Sequence, residues 1–431
     1  MTLANQFEQT IRQHRLPGLS LPTGERSFVF PHYGGYSIAN VAPTIAALLR
    51  RGLPDSCEPL PSVAWADLLG NVRTVVQVLL DGVGYWQFLE VLQLEDDAIG
   101  RLARMGRALP LTSVFPSTTM TALTSLWSGR TPGEHGFLGT RLYLSEFGVV
   151  ANMLRLAPVR SGDFGTLPRW GWQPEKHVPV PLLAEQLSGT GIHVTTHLPR
   201  MYLDSALTKV FHRGVEHTVG YVGHSDMWIN VRDSLTESEG AEHLVNVYWT
   251  GTDDVGHAYG PHGERSQSAL RDVVRSMQVD FLDRLPPAAR KGTVLLITSD
   301  HGQTSTPLDR AVSLSDHPDL EQMLLLPPAA EMRASYLSVR PGLKRDVAAY
   351  INKHLADRFA LVETEKALAA GLWGPTEWPP LMASRVGEYV LLARDESQLL
   401  DVGERTGPLG HHGSLTEDEM LVPLLMMRLE A

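Results

Sequence analysis

Three segments constrain the fold of this 431-residue chain more than anything else in it: Arg73–Leu80 (Arg-Thr-Val-Val-Gln-Val-Leu-Leu), Leu244–Trp249 (Leu-Val-Asn-Val-Tyr-Trp) and Thr293–Thr298 (Thr-Val-Leu-Leu-Ile-Thr). Each is short, rich in β-branched residues and almost continuously apolar. A strand with one wet face alternates, whereas a strand apolar throughout is covered on both faces, as in the centre of a parallel sheet. A helix candidate at Ile38–Arg51 precedes the first strand, and others fall between strand candidates, at Pro181–Ser188 closed by Gly189 and at Gln267–Leu285. With further strands expected at Leu111–Phe115, Ile192–His197 and Leu421–Met427, the alternation predicts an α/β fold, a mostly parallel sheet flanked by helices. Between about Ser315 and Gly410 the texture changes to strand candidates at Arg333–Arg340 and Val386–Arg394 around a helix at Leu343–Phe359. A tryptophan-bearing loop there carries Pro375, Pro379 and Pro380. This stretch reads as a small α+β insertion, a cap on a single catalytic domain spanning 1–431.

The buried strands end in chemistry. Arg73–Leu80 runs into Asp81, Leu244–Trp249 is followed by Asp253 and His257, and Thr293–Thr298 by Asp300 and His301. In open α/β sheets ligands gather at the carboxyl ends of the strands, so these groups are expected at one edge. A late His411-His412-Gly413 run adds imidazoles. Oxygen and imidazole donors without thiolate suit Zn²⁺, with Mn²⁺ second. Asp253 and His257 are expected to fold onto one ion across a glycine-containing turn, and Gly302 permits the turn that lets adjacent Asp300 and His301 converge.

Phe115-Pro-Ser-Thr-Thr-Met leads into a helix pattern, Met120, Leu123, Leu126 and Trp127, stopped by Gly129. Thr118 and Thr119 therefore sit at a helix N-terminus, where free N–H groups and the helix dipole favour an anion. Either residue is also a plausible helix cap.

The formal net charge of −11 disfavours a duplex nucleic acid as partner and leaves a small phosphorylated substrate, a nucleotide included, bound through metal ions. Cys57 is the single cysteine, which suits a reducing compartment, and no apolar stretch reaches membrane-spanning length. The expected location is the cytoplasm.

Asp81 after a buried strand, Thr119 ahead of Gly129, Pro132 with His135-Gly136, Asp253-x-x-x-His257-x-x-Gly260-Pro261, Ser299-Asp300-His301-Gly302 and His412-Gly413 together resemble the alkaline phosphatase superfamily. Within it the chain is most similar to the type I phosphodiesterase/nucleotide pyrophosphatase family, over residues 73 to 427. The resemblance implies an alkaline-phosphatase-like fold and two divalent ions, one held by Asp253, His257 and His412, the other by Asp81, Asp300 and His301. The nucleophile implied is Thr119, with Thr118 the runner-up, because Met120-Thr121 stand where the family carries a second Phe-Pro pair. Thr140 occupies the position of the family's phosphate-binding asparagine and offers a hydroxyl as donor in place of an amide.

The activity implied is phosphodiester or nucleotide pyrophosphate hydrolysis through a phospho-threonine. Phosphomonoesterase, phosphonate hydrolase or phosphomutase chemistry is the alternative on the same fold. A degenerate metal-binding module is the non-enzymatic one, and the full ligand set argues against it. Trp170, Trp172, Trp373 and Trp378 are candidates for stacking on a base or sugar, and Arg130 for contacting extra phosphate oxygens.

Overall fold

A computed structural model describes residues 2–21, 28–374, 378 and 380–430; Pro375 and Pro379 lie outside the described residues. Its main sheet has seven strands in the order Arg107–Thr112, Leu421–Arg428, Thr293–Thr298, Thr74–Leu80, Glu242–Trp249, Ile192–Pro199 and His217–Tyr221. The last five are mutually parallel. Of the three strands expected to be covered on both faces, Thr74–Leu80 and Thr293–Thr298 are buried at every residue, whereas Glu242–Trp249 is half-buried at Glu242, Tyr248 and Trp249. Alternate side chains feed two cores. Val75 and Leu79 join Leu244 and Leu296 on one face, while Val76, Val78 and Leu80 pack with Val247 and Ile297 against Trp228, Leu270 and Phe281 on the other.

Several boundaries differ from the sequence reading. The second strand is Arg107–Thr112, upstream of Leu111–Phe115, because Ser113 to Ser117 leave the sheet to become the entry to the threonine helix. The final strand, Leu421–Arg428, is antiparallel to both neighbours. The segment after Leu244–Trp249 is a helix, Gly251–Tyr259, where a turn was expected. The helix expected over Gln267–Leu285 is Glu264–Ser276 followed by a π-helical turn, Met277–Leu282. The His217–Tyr221 strand and the His224–Glu237 helix were not foreseen; the strand is at the sheet edge and mostly solvent-facing, so it lacks the apolar signal of its neighbours.

A second, antiparallel sheet orders Phe359–Glu363, Tyr389–Ala393, Ala334–Leu337, Ala329–Ala330, Arg141–Leu144, Val149–Asn152 and Ala157–Pro158. Its first four strands fall between 315 and 410, and its last three come from a meander at 141–158. One continuous core links it to the main sheet: Leu142, Leu144 and Val390 belong to the same cluster as Phe115, Leu126 and Val75. Among the described residues no helix is long and apolar enough to cross a membrane.

Candidate active site

Strand register levels the carboxyl edge. Leu80 pairs with Trp249 and Leu79 with Thr298, so Asp81, the Gly251–Tyr259 helix and the Ser299–Gly302 turn all emerge at the same height. Asp253 and His257 lie one helical turn apart, which puts His257 Nε2 3.1 Å from Asp253 Oδ2. His412 Nε2 is 3.9 Å from Asp253 Oδ1. His301 Nε2 lies 3.6 Å from Asp81 Oδ1 and 3.3 Å from Asp300 Oδ2. Asp81, Asp300 and His301 converge as one group, whereas Asp253 and His412 converge with His301, and His257 and His412 with His411, so the expected Asp253, His257 and His412 set is not a single convergent group.

The imidazoles are oriented to leave a lone pair inward. His257 Nδ1 faces the Gly410 carbonyl at 2.7 Å, His412 Nδ1 that of Ser117 at 3.0 Å, and His301 Nδ1 that of Gly302 at 3.1 Å. Each Nδ1–H donates to a carbonyl, which fixes the tautomer and frees Nε2 as a ligand atom. Asp81 Oδ1 and Asp300 Oδ2 are buried with no hydrogen-bond partner among the described residues. Such oxygens cost free energy unless something positive faces them. Burial, then the charges of Asp300 and Asp253, push the Asp81 carboxyl well above its usual range. Burial acts against the Asp253 charge too, but the facing His257 draws it down to about 2; the same pairing overcomes burial at His257 and raises its imidazole to about 9. A buried carboxylate trio with orphaned oxygens and pre-oriented imidazoles fits divalent cations.

The threonine helix is Thr119–Ser128, with Thr118 at the N-cap position but making no side-chain capping bond, and it ends at Gly129 with φ 69°. Adjacent Thr118 and Thr119 point different ways. Thr119 Oγ1 is 3.1 Å from His301 Nε2, whereas Thr118 Oγ1 is 3.3 Å from Thr140 Oγ1. Thr140 N–H donates to Glu331 Oε1 at 2.6 Å. Burial, offset by bonds from Thr140 and Thr118, raises the Glu331 carboxyl.

A model of the type I phosphodiesterase/nucleotide pyrophosphatase family matches residues 75–415, which contain every one of these groups. The chain belongs to that family. Among curated relatives, bis(5'-adenosyl)-triphosphatase enpp4 of Xenopus laevis is 24% identical over 310 residues, 68% of this chain and 61% of the relative. The human ENPP4 of the same description is 23% identical over 195 residues, 43% of this chain and 37% of its own length. The chain therefore spans less than two thirds of the relatives it matches. Among solved structures, murine ectonucleotide pyrophosphatase/phosphodiesterase 5, an inactive variant in complex with AMP, superposes with a TM-score of 0.61 at 18% identity, covering 82% of this chain and 87% of that one. Phosphonoacetate hydrolase from Sinorhizobium meliloti 1021 in complex with phosphonoacetate gives 0.60 at 18% identity over 82% and 90%. At that identity the likeness is one of fold: a mostly parallel sheet flanked by helices.

In this member of the type I phosphodiesterase/nucleotide pyrophosphatase family four site residues escaped the sequence reading as contributors. The Tyr248 hydroxyl donates to Asp81 Oδ2. Gln303 Nε2 donates to Asp253 Oδ1. His411 groups with His257 and His412, and its buried Nδ1 has no partner among the described residues. Glu331 backs Thr140. His411 alone carried a signal, its place in the His-His-Gly run.

Three of the four tryptophans considered for stacking pack the body, while Trp170 stays 49% exposed. Trp172 is buried with Nε1–H donating to His177 Nδ1 at 3.2 Å, Trp170 lies against Phe147, and Trp373 donates to the Tyr336 hydroxyl at 2.9 Å with Trp378 edge-on to it. Arg130 sits past the far end of the threonine helix, bonded to the Pro54 carbonyl and Glu134, so it serves that turn and not the phosphate.

Proposed function

We propose that the protein is a two-metal phosphodiester hydrolase acting through a covalent intermediate on Thr119. The observation that carries this is the 3.1 Å approach of Thr119 Oγ1 to His301 Nε2, at the N-terminus of a buried helix and beside two orphaned carboxylate oxygens. Asp253, His257 and His412 would hold one ion and Asp81, Asp300 and His301 the other. Zinc is the metal that the oxygen and imidazole donors favour, with manganese second. Bound there, the ions would polarise the Thr119 hydroxyl and the leaving oxygen.

Thr119 Oγ attacks phosphorus as the bond to the leaving alcohol breaks, and water then cleaves the phospho-threonine to regenerate the hydroxyl. The first-turn N–H groups of the Thr119–Ser128 helix would receive the developing charge.

A diester is favoured over a monoester because the group behind Thr118 and Thr140 is a carboxyl, Glu331, and the nearest arginine of the segment, Arg130, is engaged elsewhere. A monoester would bring a second negative charge toward that carboxyl, where the positive charge of Arg141 is only a minor offset. The names of the curated relatives support a nucleotide-bearing substrate cleaved at a phosphoanhydride. The single cysteine, Cys57, supports a cytoplasmic location.

The test is hydrolysis of bis(p-nitrophenyl) phosphate against p-nitrophenyl phosphate by chelator-stripped protein after adding Zn²⁺ or Mn²⁺, with Thr119→Ala and Thr118→Ala alongside. Metal-dependent preference for the diester, abolished in Thr119→Ala and retained in Thr118→Ala, is the expected result. Preference for the monoester would move the function to phosphatase chemistry, and full activity in Thr119→Ala would remove the nucleophile assignment.

A further inference from the structure

His411 is the one imidazole of the cluster to which the family resemblance gives no ligand role. It sits in a two-residue strand, Gly410–His411, paired antiparallel with Thr304–Ser305 just after the turn that carries Asp300 and His301. Two backbone bonds clamp the same loop, Leu409 N–H donating to the His257 carbonyl at 2.9 Å and Thr306 N–H to the Leu409 carbonyl at 2.8 Å. The approach is so close that a Cβ on Gly410 would lie 2.5 Å from the Gly256 carbonyl oxygen. Only glycine fits there. His411 is thereby fixed against the Gly251–Tyr259 helix that carries His257.

His257, His411 and His412 each offer a ring nitrogen within 4.8 Å of the other two. The three rings are inclined to one another and not stacked. Their centroids lie 5.4 Å apart at 63° for His257 and His411, 5.1 Å at 79° for His411 and His412, and 5.1 Å at 48° for His257 and His412. His411 is 8% exposed, and its buried Nδ1 has no partner among the described residues. The buried rings of His177 and His197 also leave one nitrogen unmatched, yet each bonds a neighbour through the other, to Trp172 and Ser234. His411 makes no ring hydrogen bond among the described residues. A buried polar ring without partners is costly, and an ion at the point of convergence would remove that cost.

We propose that His411 is a direct ligand of the ion held by His257 and His412. That position then has three imidazoles beside the Asp253 carboxylate. The inference rests on the two-ion reading above and adds the ligand that decides which metal each position takes. The other group, Asp81, Asp300 and His301, has two carboxylates and one imidazole. Imidazole suits zinc, whereas carboxylate suits manganese and magnesium. The two positions are therefore unequal: the one with His411 selects zinc, and the carboxylate-rich one accepts manganese as well.

The test is titration of chelator-stripped protein with Zn²⁺, Mn²⁺ and Co²⁺ in the unaltered chain, His411→Gln and His411→Glu. Calorimetry reads the affinities and visible absorption reads the cobalt ligand field. The unaltered protein is expected to bind two zinc ions. His411→Gln is expected to weaken one of them by more than about 100-fold, beyond the loss at residues that only support a ligand, and to shift the cobalt band of that position. His411→Glu returns a ligand of similar reach, so it is expected to bind more tightly than His411→Gln with a preference moved from zinc toward manganese. The melting temperature of the metal-free variants, expected to match the unaltered chain, reads the fold separately. An unchanged cobalt spectrum in His411→Gln, or a loss shared equally by both positions, overturns the role of His411 and leaves the two-ion reading standing. An unaltered chain that binds fewer than two zinc ions overturns that reading and this inference with it.

Discussion

Tyr248 joins the two halves of the site: its hydroxyl donates to Asp81 Oδ2, and its ring forms part of the wall of a cavity that Thr119 also lines. The bond occupies one carboxylate oxygen and leaves Oδ1 turned toward His301. Tyr248 therefore orients a ligand from behind. Tyr248→Phe keeps the wall and removes the donor. Zinc affinity is expected to fall on the order of 10–100-fold, as for other residues that support metal ligands, with little loss of fold. Zinc titration by calorimetry measures it; unchanged affinity would show that Asp81 is positioned without the phenol.

Glu331 offers a specificity test. Glu331→Gln keeps the shape and the acceptor for Thr140 N–H but removes the carboxylate charge. The ratio of p-nitrophenyl phosphate to bis(p-nitrophenyl) phosphate turnover is expected to rise roughly tenfold, the size of a single charge–charge effect in a partly screened site. A ratio that stays where it was would separate Glu331 from substrate choice.

Arg333 and Glu419, both fully buried, meet through paired bonds of 2.7 and 2.9 Å. Glu419 also accepts from Ser414 N–H, and its carbonyl from Gly302 N–H, so the pair ties the second sheet to the loops that carry His301 and His412. Removing one partner strands a buried charge. Arg333→Met is expected to cost about 3–5 kcal/mol, read as a clear drop in the denaturation midpoint.

Acid should unfold the protein through histidines outside the metal cluster. Burial holds His135 and His177 down to about 3, and His135 is satisfied as a neutral ring, with Nδ1 accepting from Phe137 N–H and Nε2 facing Ser125 Oγ at 2.9 Å. In the unfolded chain these rings take a proton near pH 6.5. Their folded values are depressed, so stability is full above about pH 6.5 and falls as pH drops toward 3. Each ring contributes a slope approaching 1.4 kcal/mol per pH unit in that window. Denaturant midpoints measured from pH 7.5 to 5 check the sign, and His135→Gln, which cannot titrate, should flatten the slope.

The metal-facing carboxylates and imidazoles were legible because they directly follow apolar strands, and parallel register brings such ends to one level. Asp253 and His257 were read as straddling a turn because Gly251, Gly256 and Gly260 punctuate the segment. Gly256 is there for another reason. A Cβ at that position would lie 2.1 Å from Gln303 Oε1, so the helix needs a glycine to let the amide that steadies Asp253 come close. Glu331 and Tyr248 were hidden by distance in sequence. One comes from a short strand-linked turn of the second sheet and the other from inside a buried strand, and neither sits where a motif ends. The 141–158 meander was missed because its strands are two to four residues long, too short for a period-2 pattern to register.

The strand Leu421–Arg428 slots between Thr293–Thr298 and Arg107–Thr112, and the loop just before it carries His411 and His412. During synthesis, then, the sheet stays split and the threonine turn stays without His412 until the Leu421–Arg428 segment has been made. Until that moment the nascent chain carries all its acidic ligands but cannot close the cage around them, so the cage is complete only once the strand that follows His412 has entered the sheet.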